Sequence, residues 1–259
     1  PLLPGCVMLA RAAALCRRSS SKSRALSTAV HRGAQDFHEL RERSLLRYTL
    51  KASTEGDAVS VIDAMDAFWQ EYYKGESTTE WKLRGSALDD AIKKAAPSNA
   101  LELGTYCGYS AIRIGRLLPP GGKLVSVELD PLYAAIATKV VEHAGLGDSV
   151  KIEIGDLSEK FDAIAKKYSL GPLEALLMDH GASNYLPDLR FLEDKGMIKE
   201  DTAVLCDWSL YPGSEDDPQA PSNHEAFMKH MEASGRAASA RSTMHNKDVF
   251  SVNTWSGAV

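Results

Sequence analysis

The sequence lacks a Gly-x-Gly-x-x-Gly turn, has no apolar run near the ~18 residues that span a bilayer, and carries no acidic residue before Asp36. The first absence argues against a pyrophosphate-binding dinucleotide site. The second excludes a hydrophobic transmembrane helix. Cysteine is also scarce, with four in 259 residues. Two of them, Cys6 and Cys16, lie in the acid-free segment, which leaves Cys107 and Cys206. That is too few for a disulfide framework and fits a reducing compartment.

Charge is unevenly placed. Residues 1–35 hold six basic side chains (Arg11, Arg17, Arg18, Lys22, Arg24 and Arg32) and no Asp or Glu. With its Ala, Ser and Leu, this segment has the composition of an amphipathic transit peptide, so mitochondrial delivery is expected; a plastid or cytoplasmic location is the alternative. The remainder carries 24 basic against 35 acidic side chains, a formal charge of −11. So acidic a body is a poor partner for nucleic acid, which demands a basic face. The expected organisation is a presequence over 1–35 and one domain over 36–259.

What the domain does contain is alternation. Apolar residues recur at helical spacing over Phe37–Tyr48, Ala58–Tyr73 (Val59, Ile62, Met65, Ala67, Phe68) and Trp81–Ala95. Asp57 is placed to cap the second helix. Short apolar strands follow at Ala100–Leu103, Lys123–Leu129, Val150–Ile154, Ala175–Met178 and Ala203–Cys206. Helices are expected between them, over Ser110–Leu118, Leu132–Ala144, Leu157–Tyr168 and about Asp188–Lys195. Ser239–Met244 and Asp248–Trp255 close the pattern as strands, and Tyr211–Asn223 reads as an irregular surface loop or lid. Strands alternating with helices imply an α/β, doubly wound, mostly parallel sheet with flanking helices. Ligands then bind beyond the carboxyl ends of the strands.

The turn after the first strand is Glu102-Leu-Gly104-Thr-Tyr106-Cys-Gly108-Tyr-Ser110. Its two glycines let the backbone turn tightly against a ligand. A carboxylate at Glu102 would repel a pyrophosphate but pair with a cationic amino acid moiety. S-adenosylmethionine, with an ammonium and a sulfonium, fits that chemistry. Glu128 ends the second strand, where a carboxylate can accept from both ribose hydroxyls; the alternative is an exposed strand-end acid. Asp156, after the third strand, either bonds an adenine or caps the next helix.

These residues resemble the catechol O-methyltransferase family. The similarity rests on Ala100–Ser110, Val127–Asp130, Met178-Asp-His180 with Tyr185–Asp188, and Leu210–Gly213, in order from about residue 60 onwards. It implies a Rossmann-like class I methyltransferase with a seven-stranded sheet. By resemblance, Glu102, Gly104, Tyr106, Gly108 and Ser110 hold the methionine end of S-adenosylmethionine. Glu128 holds the ribose, with Leu129 beside it, and the Gly155–Ser158 turn, including Asp156 and Ser158, edges the adenine. Asp179 and His180 border the sulfonium.

The catalytic half of the family pattern is incomplete here. The resemblance places Mg²⁺ on Asp179, Asp207 and an Asn position that is Trp208 in this chain. The family's general-base Lys falls on Ala182, and the region of Ser242 has no acid. Mg²⁺ wants about six oxygens, and an indole supplies none, so Mg²⁺ is doubtful. Asp179 and His180 are the weak catalytic candidates that remain. Two readings stand: an S-adenosylmethionine-dependent O-methyltransferase acting weakly or on an altered, phenolic small-molecule acceptor, and an inactive methyltransferase-like protein serving as an interaction or assembly subunit.

Overall fold

A computed structural model describes residues 41–72, 78–208, 220–244 and 247–255. The chain divides between Ser44 and Leu45, and the unit described from here on is Leu45–Val259. The expected presequence over 1–35 and residues 211–219 of the expected irregular stretch lie outside the described residues.

After a helix over residues 45–52 (α1), the order is α2 (Ala58–Tyr72), α3 (Thr78–Ala95), β1 (Asn99–Leu103), α4 (Tyr109–Gly115), β2 (Lys123–Glu128), α5 (Pro131–His143) and β3 (Val150–Ile154). Then come α6 (Leu157–Tyr168), β4 (Leu173–Met178), a 3₁₀ turn (Ala182–Asn184), α7 (Tyr185–Asp194), β5 (Ile198–Asp207), α8 (Ala220–Ala233), β6 (Arg236–Met244) and β7 (Lys247–Trp255). The strands form one sheet in the order β3-β2-β1-β4-β5-β7-β6. Pairings from β3 through β5 are parallel, and β7 runs antiparallel to both β5 and β6, so six strands share one direction.

Period-two alternation splits the core between the two faces of this sheet. Ala100, Leu124, Ala175, Leu177, Ala203 and Leu205 pack with residues of α2 to α5. Leu101, Val125, Leu176, Met178, Val204 and Cys206 pack on the other face with α6, α7 and α8. Covering on both faces explains why these strands read as continuous apolar runs.

Local chemistry sets the helix starts. Asp57 caps α2, accepting from the amides of Val59 and Ser60 at 3.0 and 3.1 Å, as expected. Asp130 caps α5, with Pro131 in its first turn. Four expectations need correction. The buried stripe of α2 is Val61, Ile62, Ala64, Met65 and Trp69, whereas Val59 is exposed, because the face that α2 packs on α4 and α5 is rotated from the one inferred. Helix α7 starts at Tyr185 and β5 at Ile198, each earlier than expected. Residues 220–223 belong to α8, whose buried apolar residues among those described are Phe227, Met228 and Met231, a short stripe that left a weak periodic signal.

The contact between α3 and α4 is ionic. Arg113 donates to both carboxylate oxygens of Asp89 at 3.1 and 2.7 Å, and Arg116 donates to the same carboxylate. Asp89 is 8% exposed, so removing it strands two guanidiniums in a poorly solvated site. Asp89→Ala is therefore expected to lower stability by about 3 kcal/mol in urea unfolding. A loss below about 1 kcal/mol would show that solvent already screens the pair.

Candidate functional site

The carboxyl ends of β1 to β5 lie along one edge. The strand order reverses direction between β1 and β4, and at this switch point an α/β sheet opens a crevice. The amide of Gly104 donates to Val127 O at 2.9 Å and that of Asp179 donates to Leu103 O at 2.8 Å, so the turn after β1 is held from both sides.

Gly104 is required sterically. Its φ is +89°, and a Cβ there would lie 2.2 Å from the carbonyl oxygen of Asp179. The left-handed path continues at Tyr106 (φ 48°) and at Gly108 (φ 87°), which caps α4. Tyr106 is a non-glycine residue in this region, a conformation that surrounding structure must enforce. Glu128 enforces it. One of its oxygens accepts from the amides of Thr105 and Tyr106 at 3.1 and 2.7 Å, and the other accepts from Asp130 N at 2.9 Å. The alternative of an exposed strand-end acid is thus set aside: Glu128 is 9% exposed and holds the turn together. The Tyr106 ring sits between Trp69, stacked at 6.4 Å, and Tyr133, edge-on at 4.9 Å.

Beneath the turn, Glu102 is fully buried on the α2–α5 side of β1. Ser126 donates to its Oε2 and is itself bonded to Thr105. Its Oε1 is buried without a hydrogen-bond partner. Burial pushes the carboxyl up to about 7, against the lowering effect of the Ser110 and Ser126 hydroxyls, and the charge of Glu128 pushes it further up. An unsatisfied carboxylate oxygen in an apolar setting is costly unless a cation or donor meets it.

Asp156 accepts from the Ser158 amide at 2.8 Å and from its hydroxyl at 2.5 Å, so it caps α6. Leu129 and Ile154, at the ends of β2 and β3, are exposed apolar side chains at this edge, 71% and 49% accessible.

Across the crevice, Asp179 follows directly on β4, and Asp207 is the last residue of the adjacent β5, next after Cys206, which pairs with Met178. Asp179 is held well above the usual carboxylate range by burial and by the charge of Asp207, with Arg84 opposing that rise. Asp207 is engaged by Arg84 of α3, whose Nη1 lies 3.0 and 2.8 Å from its two oxygens. Trp208 points elsewhere. Its Nε1 donates to Ser251 Oγ at 2.9 Å, and its ring packs on Tyr185, Phe227 and His224. Tyr185 in turn donates to the backbone carbonyl of Asp207. His180 Nε2 lies 2.8 Å from Asp188, while its Nδ1 is buried without a partner. Ala182 begins the 3₁₀ turn and offers no titratable group.

Among the described residues, no group of three or more His, Cys, Asp or Glu side chains is placed to hold a metal ion. The Asp179–Asp207–Trp208 set suggested by resemblance does not fit Mg²⁺: one carboxylate is taken by a guanidinium, and the indole is turned onto β7. Of the residues expected to hold the cofactor, Glu102, Gly104, Tyr106, Gly108, Ser110, Glu128, Asp179 and His180 lie on β1, β2 and β4 or the segments that follow them, at the switch point. Sequence reasoning missed Arg84, Ser126 and Thr105. Ser126 left a faint signal, a lone hydroxyl within the apolar run Lys123–Leu129. Arg84 left none, since it meets its partner 123 residues away.

An O-methyltransferase family model matches residues 81–239. Catechol O-methyltransferase of Bos taurus is 38% identical over 181 residues, covering 68% of this chain and 64% of that protein, so the chain spans less than two thirds of its length. Catechol O-methyltransferase of Sus scrofa is 38% identical over 155 residues, covering 60% of this chain and 78% of the relative. Among solved structures, an O-methyltransferase from Bacillus cereus in complex with SAH superposes with a TM-score of 0.54 at 18% identity, over 74% of this chain and 98% of that one. No helix among the described residues is long and apolar enough to cross a membrane. By sequence and by fold, the chain belongs to the O-methyltransferase family, as a class I methyltransferase similar to the catechol O-methyltransferases.

Proposed function

We propose that this chain is an S-adenosylmethionine-dependent O-methyltransferase acting on a small phenolic acceptor, without the metal and lysine of the catechol enzymes. The observation that carries this reading is the buried, unpartnered Oε1 of Glu102 at the switch point. A cationic amino acid moiety resolves it, and S-adenosylmethionine brings both that moiety and a transferable methyl group. Gly104, Tyr106, Gly108 and Ser110 would shape the methionine end of the site around it. Glu128 has three of its roughly four acceptor positions filled by backbone amides, which leaves capacity for one ribose hydroxyl. Leu129 and Ile154 would cover the adenine, with Asp156 and Ser158 at its edge. Asp179 and His180 would face the sulfonium.

For the acceptor proton, His180 is the better placed of the two candidates. A hydrogen bond from Nε2–H to Asp188 leaves Nδ1 as an acceptor in the neutral ring, and Nδ1 is the buried, unpartnered nitrogen. For Asp179, burial and the charge of Asp207 push the carboxyl well above the usual carboxylate range.

A second reading is favoured by the occupied Asp207 and by Ala182: a chain that retains the fold and serves as an assembly subunit. Transfer of labelled methyl from S-adenosylmethionine to catechol and to simple phenols, with and without Mg²⁺, separates them. Methylation of a phenol, with catechol turnover weak or absent, is expected. Cofactor binding with no transfer to any phenol would favour the assembly reading. Robust Mg²⁺-dependent catechol turnover abolished by Asp179→Ala would overturn the metal-free one.

A further inference from the structure

One of the two carboxylates that the resemblance assigns to a metal, Asp207, is paired with a guanidinium of the protein itself. Asp179 and Asp207 stand side by side at the ends of adjacent strands, an arrangement that two carboxylates tolerate only with a cation or a proton between them. Arg84 reaches this pair from α3. Its Nη1 lies within hydrogen-bond distance of both oxygens of Asp207, and the side chains are only 15% and 9% exposed. Such a pair is hard to separate, because leaving either charge buried alone is strongly unfavourable. Asp207 is anchored from behind as well, since Tyr185 holds its carbonyl. Gly85 follows Arg84, and the Arg113 guanidinium lies 2.7 Å from where a Cβ at Gly85 would stand, so this turn of α3 is closely packed in place.

We propose that Arg84 is a built-in cation standing in place of a divalent metal ion: it neutralises Asp207 and excludes the ion from the Asp179–Asp207 edge. The inference deepens the methyltransferase reading and rests on it for its catalytic meaning; the exclusion of metal stands on the geometry alone. A fixed guanidinium differs from Mg²⁺ in what it asks of an acceptor. Mg²⁺ gathers two neighbouring oxygens into its coordination shell, whereas a guanidinium stabilises one oxyanion by hydrogen bonds and charge. The acceptor class that suits Arg84 is therefore a phenol with a single ionisable hydroxyl. In the transfer, the acceptor oxygen forms the new bond to the methyl carbon with its own electron pair. The carbon–sulfur pair stays on sulfur, and the acceptor proton leaves to His180 or water.

The test uses Mn²⁺ as the probe, followed by its paramagnetic signal in titrations of the full-length wild-type chain and of Arg84→Met and Arg84→Lys. Wild type should show no saturable site up to about 5 mM ion, and Arg84→Lys, which keeps the charge, should behave alike. Arg84→Met removes the guanidinium from this pair of carboxylates and should gain one site per chain, binding at least about tenfold more tightly than wild type. Saturable 1:1 binding to wild type below about 1 mM, lost in Asp207→Ala, would overturn the proposal. So would a folded Arg84→Met that binds no better than wild type. If Arg84→Met does not fold, the wild-type and Arg84→Lys titrations decide: binding to either overturns the proposal, and absence in both supports it. Calorimetry with S-adenosylmethionine in the presence of a chelator, run on the same samples, reads the methyltransferase proposal separately.

Discussion

Replacing Glu102 with Gln should produce a protein that is more stable than wild type and that binds S-adenosylmethionine far more weakly. The two effects share one cause. Glu102 is buried, and its carboxyl is pushed up to about 7, chiefly by loss of solvation. In the unfolded chain the same group titrates near 4.5. Between these values the folded state binds more protons than the unfolded one, so stability is full below about 4.5 and declines as pH rises to about 7. Above that the penalty is constant, at about 3 kcal/mol. Glutamine keeps the shape and never ionises, so Glu102→Gln should exceed wild type by up to about 3 kcal/mol at pH 8 and match it near pH 4.5. Cofactor binding moves the other way. In the proposed site the ammonium of S-adenosylmethionine pairs with the ionised carboxylate, so removing that charge should weaken binding on the order of 10²- to 10³-fold, since truncating one partner of a buried charge pair loses about 3–4 kcal/mol. Urea unfolding at the two pH values and a titration with cofactor check both halves. A Glu102→Gln protein that binds as wild type does would remove Glu102 from the site.

Glu128→Ala should be the most damaging single truncation in the turn. Its carboxylate receives three backbone amides, two of them from the strained segment at Thr105 and Tyr106. Hydrogen bonds to a charged group contribute about 1.5–3 kcal/mol each, and the abandoned amides are left partly buried. Water entering the vacated space recovers some of this, so a net loss of about 4 kcal/mol is expected. That is a large share of the 5–15 kcal/mol typical of a domain. Amide exchange at Thr105 and Tyr106 should rise before the rest of the sheet opens, and cofactor binding should fall with it. A stability change under about 1 kcal/mol, with both amides still protected, would mean that Gly104 and Gly108 define the turn without Glu128.

The parts of this protein that were legible in its sequence share a physical basis. Doubly covered strands must be apolar on both sides, so β1 to β4 and the buried second half of β5 could be placed within a few residues. The glycines at 104 and 108 and the acids at 102 and 128 lie within one stretch of chain, and their spacing alone suggests a turn against a cationic ligand. What stayed hidden depends on long-range contact. Helix α8 shows little periodicity because, among its described residues, the buried apolar ones are confined to Phe227, Met228 and Met231. Arg84 and Asp207 meet only when α3 folds over the ends of β4 and β5, and no local pattern announces a guanidinium at that place. Trp208 looked like a residue intruding on a metal shell; in the fold it is a packing residue of an aromatic cluster bonded to β7. Glu128 was assigned a ligand role, and its work on the turn itself could not be inferred without the positive φ at Tyr106.

The central claim is that the turn after β1 is a site for a cationic methyl donor, built on a carboxylate that ionises near neutral pH. Calorimetric titration of the full chain with S-adenosylmethionine in chelator, at about pH 7.5 and about pH 6, tests it most directly. One molecule should bind per chain at both values, about eightfold more weakly at the lower pH, following the ionised fraction of Glu102. No binding at about millimolar cofactor, or an affinity that does not change between the two pH values, would contradict it.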